Sequence, residues 1–114
     1  MTINAYSFGR INIDGTDYDA DVVVFPDRVR DHWWRREGHS LCMEDLEAVV
    51  KESPQVLVLG TGYYGRMQVP QETLNELRAR GIEVKIHRTS DAVAELNRLL
   101  QETARVVAAL HLTC

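Results

Sequence analysis

The chain has 114 residues, 45% hydrophobic and 26% charged, which suits a single domain over residues 1–114 with a core large enough to fold without disulfides or metal. A net charge of -4 argues against a nucleic-acid or anionic-membrane surface. No apolar stretch approaches the roughly 20 residues that span a bilayer, the opening "MTINAYSFGRINIDG" lacks a signal-type block, and two cysteines make neither a disulfide framework nor a zinc site; the expectation is a reduced, cytoplasmic protein.

The N-terminal third reads as β. Ile11 and Ile13 alternate with polar residues, and Asp14-Gly15 supplies a hairpin turn suited to positive φ. "DADVVVF" follows as a buried strand ended by Pro26-Asp27. "RVRDHWWRR" places Val29 and Trp33 on one side and Arg30, His32 and Trp34 on the other, a pattern that predicts a half-exposed strand. From Cys42 the period becomes helical: Leu46, Val49 and Val50 share a face, Glu44 and Asp45 fill the first turn, and Pro54 follows the end. "QVLVLG" is an almost unbroken apolar strand, typical of a parallel sheet covered on both faces.

The second half continues the alternation. Pro70 suits a first helical position, Leu74 and Leu77 line one face, and Gly81 marks the C-cap. "IEVKIH" is the next strand; Thr89 or Ser90 caps a helix with Ala92, Val93, Leu96, Leu99 and Leu100 inward; "RVVAALHL" closes the fold. The pattern predicts a layered α/β fold with a β-hairpin element at its start.

"GTGYYG", Gly60 to Gly65, has the spacing of a dinucleotide fingerprint. Residues 66–69 separate it from the following helix, and "KIHRT" stands where a ribose-binding carboxylate is expected. No Gly-Lys-Ser/Thr follows, so it is not a P-loop either. A sharp strand-to-helix turn is the preferred reading, and no cofactor is expected. If strands 56–60 and 82–87 are parallel neighbours, however, loops 60–69 and 88–90 share the edge where open α/β sheets bind ligands. Gly60, Thr61, Gly62, Arg66, Arg88 and Thr89 are therefore candidate positions for a small anionic ligand, against the plainer reading of a solvated loop edge.

"HWWRREGHS" concentrates functional-looking residues. His32 and His39 match no standard metal spacing, so no metal is expected. Glu37 with His39 is a chemically possible acid/base pair, but a strand with one core and one rim tryptophan ending at Gly38 accounts for the segment more simply. Trp34, Arg36 and His39 are candidate partner-binding residues, because exposed Trp and Arg are frequent hot spots. His111, in an apolar strand, reads as a satisfied core or rim histidine. Cys42 near a helix start is a candidate for a lowered thiol pKa, with a buried inert thiol preferred; Ser7, Ser40, Ser53 and Ser90 lie in no nucleophile-elbow pattern.

In order and spacing, "FGRINIDG", "DADVVVFP", "WWRREGHSL", "VLVLGTGYYGRMQVP", "LRARGIEVKIHRTSDAVAELNRLL" and "RVVAALHLTC" resemble the small domain of unknown function shared by archaeal and bacterial single-domain proteins, the adipogenesis-associated protein and mitochondrial complex I assembly factor 3. The resemblance runs from Tyr6 to Cys114. It implies an α/β domain with three layers, a mixed central sheet, helices packed around it and an N-terminal β-hairpin element. It implies no established catalytic residue or cofactor, and its recurring positions map to Gly60, Thr61, Gly62, Thr89 and Asn97. Through the assembly factor it implies protein binding. Two functions follow: a non-enzymatic protein-interaction or assembly module, as monomer or homodimer, using the "WWRREGH" segment or the glycine edge; or a binding or catalytic domain for a small anionic metabolite using Arg66, Arg88, Glu37 and His39.

Overall fold

The computed structural model describes residues 1–102 and 105–114. An antiparallel sheet is built from β1 (Ile3–Ser7), β2 (Arg10–Ile13) and β3 (Thr16–Tyr18) in that order. Asp14 and Gly15 join β2 to β3 with φ of 52° and 88°, the paired positive values of a two-residue hairpin turn. The N-terminal element is thus a three-stranded meander, one strand more than the predicted hairpin; β1 carries little sequence signal because only half-buried Tyr6 and buried Ile3 mark its inner side.

The main sheet has five strands in the order β5 (Val29–Arg30), β4 (Val22–Val24), β8 (Val106–His111), β6 (Val56–Thr61) and β7 (Glu83–His87). β7, β6 and β8 are parallel; β4 and β5 add antiparallel pairings at one side. Successive residues of the central strands face opposite layers, as the two-residue period requires. Val22, Val24, Val58, Val106, Ala108 and Leu110 pack against helix α3 (Thr89–Glu102) and the small sheet, whereas Val23, Leu57, Leu59, Val107 and Ala109 pack against α1 (Glu47–Glu52) and α2 (Gln71–Ala79). A mixed sheet between two covering layers explains why β6 and β8 read as continuous apolar runs.

Local departures have local causes. The strand predicted over residues 28–36 stops after Arg30, because His32 adopts a φ of 54° and turns the chain so that Trp33 N–H donates to the Asp21 carbonyl at 2.8 Å. The alternation survives as burial: Trp33 is buried and Trp34 is 79% exposed. The helix predicted from Cys42 is a 3-10 turn, Met43–Leu46, continuing into α1. Pro70 caps α2 from just outside, one place earlier than expected. Gly81, at φ 81°, ends α2 with its N–H on the Arg78 carbonyl. α3 starts at Thr89 and its Ala92 N–H bonds the Arg88 carbonyl, so Arg88 holds the cap position assigned to Thr89 or Ser90.

Candidate functional site

The carboxyl ends of β6, β7 and β8 meet at one edge, as expected if they were parallel neighbours. The glycine loop leaves β6 there and is filled from within. A Cβ on Gly60 would lie 2.9 Å from both the Leu110 side chain and the Thr89 hydroxyl; on Gly62, whose φ is +111°, it would lie 2.5 Å from the Cys114 backbone. Substitution at either requires the chain to move. Five loop N–H groups are committed internally: Gly62 to Thr89 Oγ1 at 2.8 Å, Tyr63 to the Thr113 carbonyl at 2.7 Å, Gly65 to Gly62, Arg66 to Cys114 and Met67 to Thr61. The Thr61 hydroxyl donates to the His87 carbonyl and the Thr89 hydroxyl to the His111 carbonyl, tying β6 to β7 and α3 to β8. Donors that a phosphate loop presents to its ligand are here used on the protein itself.

The six candidate ligand positions therefore divide. Gly60, Thr61, Gly62 and Thr89 are buried links in this turn, while Arg66 and Arg88 are exposed and, among the described residues, form no ion pair. Asn97 serves the scaffold. Its side-chain amide accepts from Ile3 N–H at 2.8 Å and donates to the Ile3 carbonyl at 2.9 Å, clamping β1 onto α3.

Beside the loop lies an ionic cluster that no sequence motif brings together. Asp21, just before β4, receives Arg35 Nη1 at 2.8 Å, lies 2.8 Å from His111 Nδ1, and accepts the Leu112 N–H at 2.7 Å. The Arg35 and His111 side chains are only 5% and 6% exposed. Arg35 also donates to the Gly38 carbonyl and stacks over Trp33 at 4.8 Å. Burial pushes the Asp21 carboxyl up, but the bonds from His111, Leu112 and Arg35 outweigh it and hold the group below its ordinary value. His111 Nδ1 donates to Asp21 when protonated and accepts from Arg35 Nη2, at 3.0 Å, when not. Its Nε2 is buried with no hydrogen-bond partner among the described residues, so this histidine is only half satisfied.

The predicted partner segment wraps the same edge. Gln68 N–H donates to the His39 carbonyl at 2.7 Å and Leu41 N–H to the Gln68 carbonyl at 2.9 Å, so residues 39–41 are stitched to the glycine loop. The structure thus brings together the two regions that the sequence marked separately. Within the segment the candidates part: His39 stands edge-on to His111, with centroids 5.9 Å apart, whereas Trp34 and Arg36 line an open groove of about 780 Å³ with Arg30, Glu44, Ala48 and Lys51. Arg36 is paired with Glu44 at the groove rim. Glu37 is exposed, its backbone bridges to Ser40 in a turn, and among the described residues no hydrogen bond or ion pair joins it to His39. His32 pairs with its neighbour Asp31 at 3.2 Å.

Cys42 is half-buried, and burial together with the Asp45 carboxylate at 3.3 Å pushes its thiol up, so the lowered-pKa alternative is corrected.

The outer face of the edge is aromatic. Phe8 from the β1–β2 turn meets Tyr63 and Tyr64 of the loop at centroid distances of 5.8 and 6.1 Å, and the two tyrosines are 5.1 Å apart. The three are 50%, 44% and 56% exposed. Tyr6 adjoins Tyr63, and its hydroxyl donates to the Leu112 carbonyl at 2.8 Å; burial pushes that phenol up to about 12. This surface joins residues 55 positions apart in sequence, so no local motif announced it; the adjacent "YY" between two glycines was the available signal.

Residues 3–111 match the family model described as protein of unknown function DUF498/DUF598. The chain belongs to this family. Among its relatives, the NADH dehydrogenase [ubiquinone] 1 alpha subcomplex assembly factor 3 of Danio rerio is 35% identical over 111 residues, covering 95% of this chain and 62% of that protein, so the chain spans a little under two thirds of its length. A conserved hypothetical protein of Pyrococcus horikoshii OT3 is 31% identical over the whole of both chains, with a TM-score of 0.79. A protein of Bartonella henselae, described as an outer membrane protein, shares 26% identity and a TM-score of 0.82 over 98% of this chain and 94% of that one. The family assignment and the α/β architecture expected from the resemblance both hold.

Proposed function

We propose that this chain is a non-enzymatic protein-interaction or assembly module whose partner docks on the Phe8–Tyr63–Tyr64 surface. The observation that carries the reading is three exposed, mutually touching aromatic rings, two of them on a loop most of whose N–H groups are bonded internally. Aromatic rings held on a rigid frame supply large contact area at little entropic cost and are enriched among hot spots. Arg66 and Arg88, exposed near them, favour a partner patch that is apolar with an acidic rim. The 35% identical relative carries the name of an assembly factor, in accord with such a role. Among the described residues no helix is long and apolar enough to cross a membrane, and two free thiols suit the reducing cytoplasm.

The test is affinity capture from the source cell with the parent chain, a Tyr63→Ser/Tyr64→Ser variant and a Trp34→Ala/Arg36→Ala variant, each first shown to melt as the parent does. A partner lost with the tyrosine variant and retained with the tryptophan variant supports the assignment. A partner lost only with the tryptophan variant moves the docking surface to the groove, and equal recovery from all three refutes the proposal.

A further inference from the structure

We infer that β7 is a homodimerisation strand: two copies pair their Glu83–His87 strands antiparallel about a twofold axis at Lys85, making one continuous sheet. The two edges of the main sheet are not alike. β5 ends it with only two residues, after which the chain turns and Trp33 N–H bonds the Asp21 carbonyl beside β4. β7 ends it with five residues, parallel to β6 and, among the described residues, with no strand beyond. Glu83 N–H faces inward, donating to the Gln55 carbonyl at 2.9 Å. Backbone groups alternate along a strand, so Val84 and Ile86 turn their N–H and C=O outward. Among the described residues nothing bonds those groups. An unpaired edge of this kind is a template for another strand.

Side chains point to a second copy as the occupant. Val84 packs into the layer of α2, and Ile86, on the same face, is 41% exposed. On the other face Lys85 lies 3.7 Å and His87 3.5 Å from Glu95 of α3. Antiparallel pairing about Lys85 sets each Val84 across from Ile86 of the second copy, an apolar pair that covers the exposed side chain. It also sets Glu83 across from the second copy's His87, and it aligns the outward N–H and C=O groups of residues 84 and 86 for reciprocal bonding. A parallel arrangement in register would place Glu83 against Glu83 and Lys85 against Lys85, with no opposite charge in line. Lys85 does meet its own copy at the twofold axis. Each ammonium, however, is already held by Glu83 at 3.0 Å and by Glu95, so two carboxylates per copy surround the pair of cations.

The experiment is light scattering on the eluting protein from micromolar to millimolar concentration, with two kinds of variant. The parent is expected to pass from 13.0 kDa to twice that mass. Ile86→Lys, at an exposed position, is expected to melt like the parent and to raise the dimer dissociation constant at least about tenfold by removing two apolar pairs and adding cations. Non-hydrogen-bonded partners lie about 4.5 Å apart at Cα, within reach of a disulfide. Lys85→Cys is therefore expected to cross-link under mild oxidation, whereas Glu83→Cys, facing His87, is not. A parent that stays monomeric throughout, a dimer indifferent to Ile86→Lys, or equal cross-linking of the two cysteine variants would each overturn the inference. Binding of an added extended peptide to a strictly monomeric parent would assign the edge to a different partner.

Discussion

Changing Asp21 to asparagine removes the charge at the centre of the buried cluster while keeping its shape. An amide oxygen left toward Leu112 N–H, which donates at 2.7 Å, would turn the new NH₂ group against the Arg35 donor. Arg35, its side chain only 5% exposed, would then keep its charge with no counter-ion. Breaking a buried pair from one side costs about 3–5 kcal/mol, a large part of the roughly 5–15 kcal/mol by which a domain is stable. At about 0.24 kcal/mol per kelvin of unfolding entropy for 114 residues, the melting temperature should fall by about 12–20 °C. The internal control is Asp17→Asn, which breaks an exposed pair with Arg10 and should cost no more than about 1 kcal/mol. Urea unfolding followed by tryptophan fluorescence and circular dichroism measures both. An Asp21→Asn/Arg35→Met double variant should regain about 1–3 kcal/mol relative to Asp21→Asn, because the orphaned charge is gone. Equal losses for Asp21→Asn and Asp17→Asn would refute the idea that the cluster is a buried ionic tie.

Three further outcomes are expected. Because the Asp21 carboxyl is held below its ordinary value, the unfolded chain binds the more protons as pH falls. Its contribution is complete above about pH 4 and is lost as pH drops through the folded value, so the stability gap between parent and Asp21→Asn should narrow in acid; a constant gap would contradict this. Gly62→Ala should cost about 2–5 kcal/mol from its positive φ and the overlap with Cys114, whereas Gly15→Asn, at φ 88° with open space around it, should cost only the backbone strain, about 1 kcal/mol, in the same urea assay; similar losses would count against the packed-turn account. Cys42, its thiol pushed up by burial and Asp45, should react with iodoacetamide at neutral pH more slowly than free cysteine. A faster rate would mean that the thiolate is stabilised.

Much of this architecture is written locally. Continuous apolar runs at Val56–Leu59 and Val106–Leu110 are what a strand covered on both faces requires, and the helical stripe Ala92, Leu96, Leu99 buries as its spacing demands. The burial of Trp33 and exposure of Trp34 were also readable, even though the strand proposed to carry them is absent. The failures come from tertiary contact. His32 breaks the strand because its backbone turns Trp33 back to Asp21, a partner twelve residues away that no window of local sequence weighs. The same limit hid the cluster: Asp21, Arg35 and His111 carry no motif, and only the antiparallel register of β4 on β8 sets the first beside the last. Thr89 looked like a helix cap because caps and buried hydroxyl links draw on the same residue types, and its neighbours across the sheet decide between them.

In this fold the place where many α/β proteins keep a crevice is occupied by the protein's own chain. Thr113 and Cys114 lie along the glycine loop, Thr89 fills the space above Gly60, and the 39–41 segment closes the flank through Gln68. What this edge exposes is therefore not a crevice but side chains that project from a closed frame: the tyrosines on one flank and Trp34 on another. Both depend on the same support, since Arg35 anchors the Trp34 segment to Asp21 while Leu112, bonded to the same carboxylate, leads into the residues that hold the loop. Loosening that support should disturb either proposed docking surface, yet leave the β7 edge alone, because β7 is attached through β6 and α3 rather than through the cluster. The proposed partner capture and the proposed self-association should thus be separable, and a cluster variant that remained folded yet lost both would count against that separation.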